Sequence, residues 1–276
     1  MKGYSEKYWA KRAGQYNKTN WVNNEDFIDS FLNMLPRTNF ETILEVGIGT
    51  GAVANKVSEI IGPLTGIDIS KEMIAKINHP GITPIVANAH NLPFEDSSFE
   101  LIYMRNVIHY IDDPALAFSE IYRCLKPNGY FLFSQVVPPD DSISEEYDCL
   151  IGRDIHYPTQ GEIIQLFSKY SSTNQGSFIL KNQSIMNWLN NTCIDKTQKQ
   201  NIIDRHRRTS NEYKSLANFK ETEDSRYLIE VKGLVRFQTI KEVKTDKKYR
   251  ILEVDFNKFS NDLNNEKEKL KFLLKT

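Results

Sequence analysis

The chain has 276 residues, 40% of them hydrophobic and 26% charged, with a net charge of −1, enough apolar content for one large core with insertions or a small lid. Cys124, Cys149 and Cys193 stand apart without C-x-x-C spacing, which argues against a zinc site, dithiol chemistry or a disulfide framework and fits a reducing cytoplasm. The first residues lack the apolar core of a signal peptide, and no apolar run approaches the roughly 18 residues of a membrane span, so a soluble cytoplasmic protein is expected.

Charge is uneven along the chain: residues 1–180 hold 14 Lys/Arg against 22 Asp/Glu, and residues 181–276 hold 21 against 14. A basic C-terminal third could meet an anionic partner such as RNA, but interspersed acids, as in Glu221-Thr-Glu-Asp224 and Glu266-Lys-Glu268, favour an ordinary solvated surface.

Residues 4–36 read as two helices carrying Tyr4, Tyr8, Trp9, Tyr16 and Trp21, a cap ahead of the first strand. Apolar segments 42–47, 64–68, 82–87, 99–104 and 130–137 are short and strand-like. They alternate with helical patterns such as Val53, Val57, Ile60, Ile61 and Leu116, Ile121, Leu125. This alternation predicts a parallel sheet covered on both faces, with ligand sites at the carboxyl ends of its strands.

At the first such end, Glu45-Val-Gly-Ile-Gly-Thr-Gly51 turns into the helix-like Ala52-Val-Ala-Asn-Lys-Val. Gly47, Gly49 and Gly51 lack the Cβ that keeps backbone away from a ligand, so the turn suits a nucleotide cofactor. Gly47, Gly49 and Ala52 also read G-x-G-x-x-A, so the loop alone leaves nicotinamide and S-adenosylmethionine (SAM) enzymes both open. Asp68 ends the second apolar run, with Ser70 placed to cap the next helix. A carboxylate there accepts from both ribose hydroxyls in either class.

Two further stretches separate the classes. They are Ala87-Asn-Ala-His-Asn-Leu-Pro-Phe-Glu-Asp-Ser-Ser-Phe-Glu-Leu-Ile102 and Ile121-Tyr-Arg-Cys-Leu-Lys-Pro-Asn-Gly129, the second preceding Tyr130-Phe-Leu-Phe133. With the glycine loop and Asp68, they resemble the class I SAM-dependent methyltransferases of the type 11, small-molecule kind. The resemblance is specific over residues 40–135 and nearly silent beyond 180. It implies an α/β fold: a Rossmann-like seven-stranded sheet with helices on both faces. An N-terminal helical cap would span 1–37 and a SAM-binding core 38–183. Residues 184–276 would add insert helices, closing strands and a terminal helix that together shape the substrate pocket.

The resemblance also implies the site. Glu45, Gly47, Gly49 and Gly51 would wrap the methionine half of SAM. Asp68 would hold the ribose and Asn88 and Ala89 would address the adenine, with Ile69 and Arg105 completing the cofactor set. Asn88 departs from the family's Asp and loses the charge-assisted part of its bond. Asn128 replaces a glycine, and asparagine is the residue next best able to adopt a left-handed turn. Tyr16 is the first choice for an aromatic contact to the sulfonium, whose charge its ring quadrupole attracts. His109 is the candidate general base, with His156 and Tyr157 as further substrate-facing residues. Arg153, Arg205, Arg207 and Arg208 are candidates for an acidic substrate group or for solvated surface.

Between strands expected at 178–181 and 227–237, residues 184–220 read as helices with Ile185, Trp188 and Leu189 on one face and Ile202, Ile203 and His206 on another. Residues 249–254 alternate as an extra strand, and Phe259, Leu263, Leu270 and Leu273 suggest a closing helix. Tyr103-Met-Arg-Asn106 lacks the Asn/Asp-Pro-Pro-Tyr/Phe motif of amino-methyltransferases acting on amide-like nitrogens. Asp112-Asp113 and Asp140-Asp141 read as caps or turns, and no metal is expected. The expected reaction is methyl transfer to a small molecule, yielding S-adenosyl-L-homocysteine, by a monomer or homodimer without membrane contact. An RNA methyltransferase and a non-catalytic SAM-binding protein are the alternatives.

Overall fold

The computed structural model describes residues 6–19, 24–35, 39–152, 155–170, 173–192, 195–223, 227–239 and 253–255. Tyr4, Trp21, Arg153, Cys193 and the closing helix expected from Phe259 onward lie outside the described residues.

Nine strands among the described residues form one sheet: β1 (Ile43–Val46), β2 (Leu64–Asp68), β3 (Ile82–Val86), β4 (Phe99–Arg105), β5 (Leu125–Val136), β6 (Thr173–Ser184), β7 (Lys220–Glu221), β8 (Tyr227–Thr239) and β9 (Glu253–Asp255). Their order is β3-β2-β1-β4-β5-β8-β6-β9, with β7 paired to β8. Pairing is parallel from β3 through β5 and antiparallel where β8 inserts between β5 and β6. The expected seven-stranded sheet is therefore present, extended by two short strands. The helices are α1 (Glu6–Arg12), α2 (Glu25–Leu32), α3 (Ala52–Ile61), α4 (Lys71–Ile74), α5 (Pro114–Cys124), α6 (Ser144–Ile151), α7 (Gln160–Phe167), α8 (Ile185–Asn190), α9 (Lys196–Arg208) and α10 (Asn211–Leu216).

Strand parity builds two cores, one on each face. Ile43, Leu101, Tyr103 and Leu132 point to one side, where they meet Ile28 and Phe31 of α2 and Val53, Ala54 and Val57 of α3. Leu44, Val46, Ile102, Met104, Phe131 and Phe133 point to the other, against Phe118 and Ile121 of α5 and Ile163 and Phe167 of α7. Because alternate residues face opposite ways and both faces are covered, the strands read as continuous apolar runs. Each large side chain so buried contributes about 1.5–3 kcal/mol. A third cluster joins α6 and α10 through Tyr147, Leu150, Tyr157 and Tyr213, and a fourth joins α8, α9 and β8 through Ile185, Leu189, Ile202, Ile203 and Tyr227.

Several boundaries differ from expectation. β5 starts at Leu125, five residues before the expected start at Tyr130, because Leu125 already pairs with Phe99 of β4 and Lys126-Pro-Asn-Gly129 bulges out before pairing resumes at Tyr130, with Asn128 at φ 62°. That is the left-handed conformation expected of Asn128. β6 is longer than 178–181, because polar Gln175, Gly176 and Ser177 pair with β8 as the apolar residues do. Ile60 and Leu116, expected on buried stripes, are 63% and 45% exposed. The paired acids are spent on backbone N–H groups: Asp113 caps α5, Asp140 accepts from Ser142, and Asp141 accepts from Gln160 and Gly161 at the start of α7.

Candidate cofactor and acceptor site

Gly47, Gly49 and Gly51 have φ values of 78°, 57° and 75°, the left-handed region that side chains disfavour. The N–H groups of Gly47 and Ile48 both donate to the carbonyl of Ile67, which ties the loop to the end of β2. A Cβ at Gly47 would come within 2.3 Å of Val107 Cγ2. A Cβ at Gly49 would meet only the Tyr16 ring, at 4.0 Å. Backbone is thus presented to open space roofed by the cap, the cradle that a close-lying cofactor requires.

Asp68 anchors this cradle. Its Oδ2 accepts the Gly49 N–H and its Oδ1 the Ser70 N–H, both at 2.9 Å. Each carboxylate oxygen retains acceptor capacity for a ribose hydroxyl. Burial raises the Asp68 pKa, against which the N–H groups of Ser70, Gly49 and Ile69 act. Ser70 caps α4 as expected, accepting from Met73. Ile69, next to Asp68, is 43% exposed. Asn88 is exposed; its side-chain oxygen accepts the His90 N–H at 2.9 Å and keeps one lone pair. Ala89 packs partly buried beside it.

Beneath the loop, Glu45 is buried and accepts from the Tyr103 hydroxyl at 2.8 Å. Burial pushes its pKa up to about 8, against the opposing Tyr103 hydrogen bond and the Arg105 charge. Arg105, also buried, feels Tyr16, Glu45 and Tyr103, but desolvation dominates and holds its pKa below the ordinary value. Tyr16 stands above Gly49, with its hydroxyl pKa raised by burial. Beside it, Asn17 accepts from the Thr50 hydroxyl at 2.5 Å, latching the cap to the glycine loop.

Next to the loop lies a chamber of about 120 Å³, lined by Tyr16, Asn106, His109, Tyr110, Tyr157, Trp188 and their neighbours, a volume class that admits one aromatic ring. Asn106, at φ 52°, accepts from the Val136 N–H and so fixes the turn leading to His109. The His109 ring stacks on Tyr157 at 4.4 Å and tilts against Tyr110 at 4.0 Å. Its Nδ1 lies 3.2 Å from Oε1 and 3.0 Å from Nε2 of buried Gln135, whose Nε2 also donates to the Val136 carbonyl.

His109 and Tyr157 thus meet at one wall. His156 lies outside this chamber: its Nδ1 and Nε2 sit 2.7 Å from Asp148 and 2.8 Å from Glu162, and it lines a neighbouring outer cleft. Burial lowers its pKa, but the two carboxylates outweigh that and the net shift is upward. The insert closes the remaining side of the chamber. Asn187 and Asn191 donate to the Lys18 carbonyl at 3.4 and 3.3 Å, and His206 and Tyr213 reach the wall from α9 and α10. Arg12, Trp188, His206 and Tyr213 were not among the expected site residues. Trp188 and His206 carried a partial signal, as residues on the faces of insert helices expected to shape the pocket, and Arg12 lies four residues before Tyr16. Arg205 donates to the Cys149 carbonyl, and Arg207 lies over Tyr227, away from the lining. Among the described residues, no three His, Cys, Asp or Glu side chains group as metal ligands, and no helix is long and apolar enough to cross a membrane.

Residues 44–133 match the family described as methyltransferase domain. The chain is 32% identical over 114 residues to a malonyl-[acyl-carrier protein] O-methyltransferase of Marinomonas sp. (strain MWYL1), covering 39% of this chain and 42% of that protein. It spans about half the length of the curated relatives it matches. Among solved structures, YcgJ of Bacillus subtilis superposes with a TM-score of 0.68 at 21% identity, over 78% of this chain and 97% of that one. Phosphoethanolamine N-methyltransferase 2 of Haemonchus contortus, solved with phosphomonomethylethanolamine and S-adenosylhomocysteine, superposes with a TM-score of 0.56 at 18% identity, over 83% and 58%. At such identities, these two structures speak to the fold alone. Residues 44–133, which run from β1 into β5 and carry the glycine loop tied to Asp68, thus correspond to the methyltransferase domain of the matched family.

Proposed function

We propose that this protein transfers the methyl group of SAM to a small molecule held between the cap and helices α8–α10. The observation that carries this reading is the Asp68 tie to Gly49, which presents a carboxylate and bare glycine backbone to one space, next to a chamber with its own walls. Bound SAM supplies an already activated methyl on a sulfonium, so the reaction is an in-line displacement that chiefly demands positioning and exclusion of water.

The chain's residues divide that work. Backbone of Gly47, Gly49 and Gly51, with Glu45 and Arg105 behind it, would hold the methionine half. Asp68 would take the ribose hydroxyls, while Ile69, Asn88 and Ala89 would receive the adenine. Tyr16 would face the sulfonium, where its ring favours positive charge. His109 is the proton acceptor for a hydroxyl or ammonium nucleophile: in the tautomer that donates Nδ1–H to Gln135, Nε2 carries the basic lone pair. Tyr157 holds that ring by stacking, and His156 braces the same segment from outside. Residues 1–37 act as the cap, 38–183 as the SAM-binding core and 184–276 as the part that shapes the pocket. No resident metal is needed, and a cytoplasmic monomer or homodimer fits this chemistry.

The test is transfer of a labelled methyl group from SAM into a cell extract separated into small-molecule and RNA fractions, with Asp68→Ala protein as control. Label in the small-molecule fraction that disappears with the variant is the expected result. Label in RNA would overturn the small-molecule reading, and wild-type protein that binds neither SAM nor S-adenosylhomocysteine would overturn the methyltransferase reading itself.

A further inference from the structure

The cap carries a cation into the acceptor chamber without an acid to receive it. Arg12 is 2% exposed and lines the cavity. Its guanidinium lies 5.0 Å from the Trp9 ring, 5.4 Å from Tyr16 and 5.6 Å from Tyr8, and Nη1 donates to the Tyr8 hydroxyl at 3.3 Å. Tyr110 supplies a further side-chain hydrogen bond. The buried Nε makes no hydrogen bond. Among the described residues, the titratable groups that bear on Arg12 are Tyr110, Tyr8 and Tyr16, and no Asp or Glu lines the chamber.

An arginine stays protonated under all ordinary conditions, so its charge must be met where it stands. Aromatic faces offset only a small part of the desolvation of such an ion, whereas a buried charge without a counter-ion is costly. An anion completes the site. The planar fork of donors suits two oxygens of one carboxylate or phosphate.

The rest of the chamber describes the body attached to that anion. Tyr147, Leu150, Tyr157, Trp188 and Tyr213 form apolar and aromatic walls. His206, 4% exposed, donates Nδ1–H to the Ile202 carbonyl at 2.8 Å, which leaves Nε2 as an acceptor on the wall formed by α9. The lining includes Arg12 but neither the glycine loop nor Asp68, so the guanidinium belongs to the acceptor side of the site.

Resting on the methyltransferase reading above, we propose that the methyl acceptor is an organic anion, a carboxylate or phosphate on an apolar or aromatic body, with its charge bound by Arg12. The same chemistry is offered by the carboxylate of the cofactor's methionine half, and the test separates the two sources. Phenylacetate, phenyl phosphate and neutral 2-phenylethanol are titrated against the full chain saturated with S-adenosylhomocysteine, with binding read by ligand-observed NMR. The anions are expected to bind at least tenfold more tightly than the alcohol. Arg12→Gln should erase that preference while leaving S-adenosylhomocysteine affinity within about twofold, and Arg12→Lys should retain part of it.

Equal binding of anions and alcohol by the wild-type protein overturns the proposal without any variant. The proposal is equally overturned if Arg12→Gln weakens S-adenosylhomocysteine but not 5′-methylthioadenosine, which lacks the carboxylate, for then Arg12 serves the cofactor. Should the wild-type protein bind no S-adenosylhomocysteine, the methyltransferase reading fails. The anion comparison is then made without it, and the same preference, lost in Arg12→Gln, still supports an anion site.

Discussion

Gly47→Ala tests whether the cofactor loop is held by conformation, by packing, or by both. At φ 78° an alanine pays the left-handed penalty of roughly 1–2 kcal/mol. Its Cβ would also sit 2.3 Å from Val107 Cγ2 and 2.9 Å from Cγ1, so Val107 or the loop must move. Overpacking of this kind costs about 1–3 kcal/mol, which brings the expected total to about 2–5 kcal/mol. With a urea slope of about 2–3 kcal/mol/M, the unfolding midpoint should fall by about 1–2 M, followed by tyrosine and tryptophan fluorescence. Val107→Ala on the Gly47→Ala background removes the clashing methyls but not the φ penalty. The double variant should therefore be at least about 1 kcal/mol more stable than the sum of the single effects. Simple additivity would refute the packing half of this account, and a Gly47→Ala protein as stable as wild type would refute all of it.

Other consequences can be measured separately. His156 is held between Asp148 and Glu162 with a raised pKa. Its stabilisation is therefore full below the unfolded value near 6.5 and is lost as pH rises through the higher folded value. His156→Gln should flatten that part of the stability–pH curve, and an unchanged curve would show the clamp to be inert. Arg123 donates to Glu120, to Asp96 and to the carbonyls of Leu92 and Phe94, pinning the Leu92-Pro-Phe segment. Arg123→Lys should therefore cost about 1–3 kcal/mol in denaturant unfolding, because an ammonium cannot reproduce the fork. Asn17→Ala opens the latch to Thr50. By stopped-flow fluorescence it should speed S-adenosylhomocysteine release about 2–10-fold, the equivalent of one hydrogen bond.

The nucleotide-binding half was legible because its information is local. Short apolar runs flanked by glycines put β1, β2, β3 and β4 within a residue or two of their observed ends, and Asp68 and Ser70 lie where the turn chemistry requires them. β5 differs at its start because Lys-Pro-Asn-Gly does turn the backbone out of the ladder, as its residues suggest, but Leu125 ahead of it pairs with Phe99 and extends the strand across the bulge. β6 is longer than its apolar run because Gln175, 2% exposed, has no apolar signature, yet it is paired on both sides, with β8 and β9. The acceptor chamber was the least legible part. Arg12, Trp188, His206 and Tyr213 acquire their common environment from segments far apart in the chain. His206 in particular sits in a helix that is otherwise strongly polar.

The hydrogen bonds from Asn187 and Asn191 to the Lys18 carbonyl join residues 169 and 173 positions apart. During synthesis, the cap thus emerges long before the helix that covers it. At about 5–20 residues per second, Trp9, Arg12 and Tyr16 wait on the order of 10–35 s for residue 191 to be made. Through that interval an aromatic, cationic helix stands beside a sheet that can already pair β1 through β5. The chamber is therefore a checkpoint of completeness: a chain truncated before α8 can build the sheet that carries the glycine loop but cannot shut the room beside it.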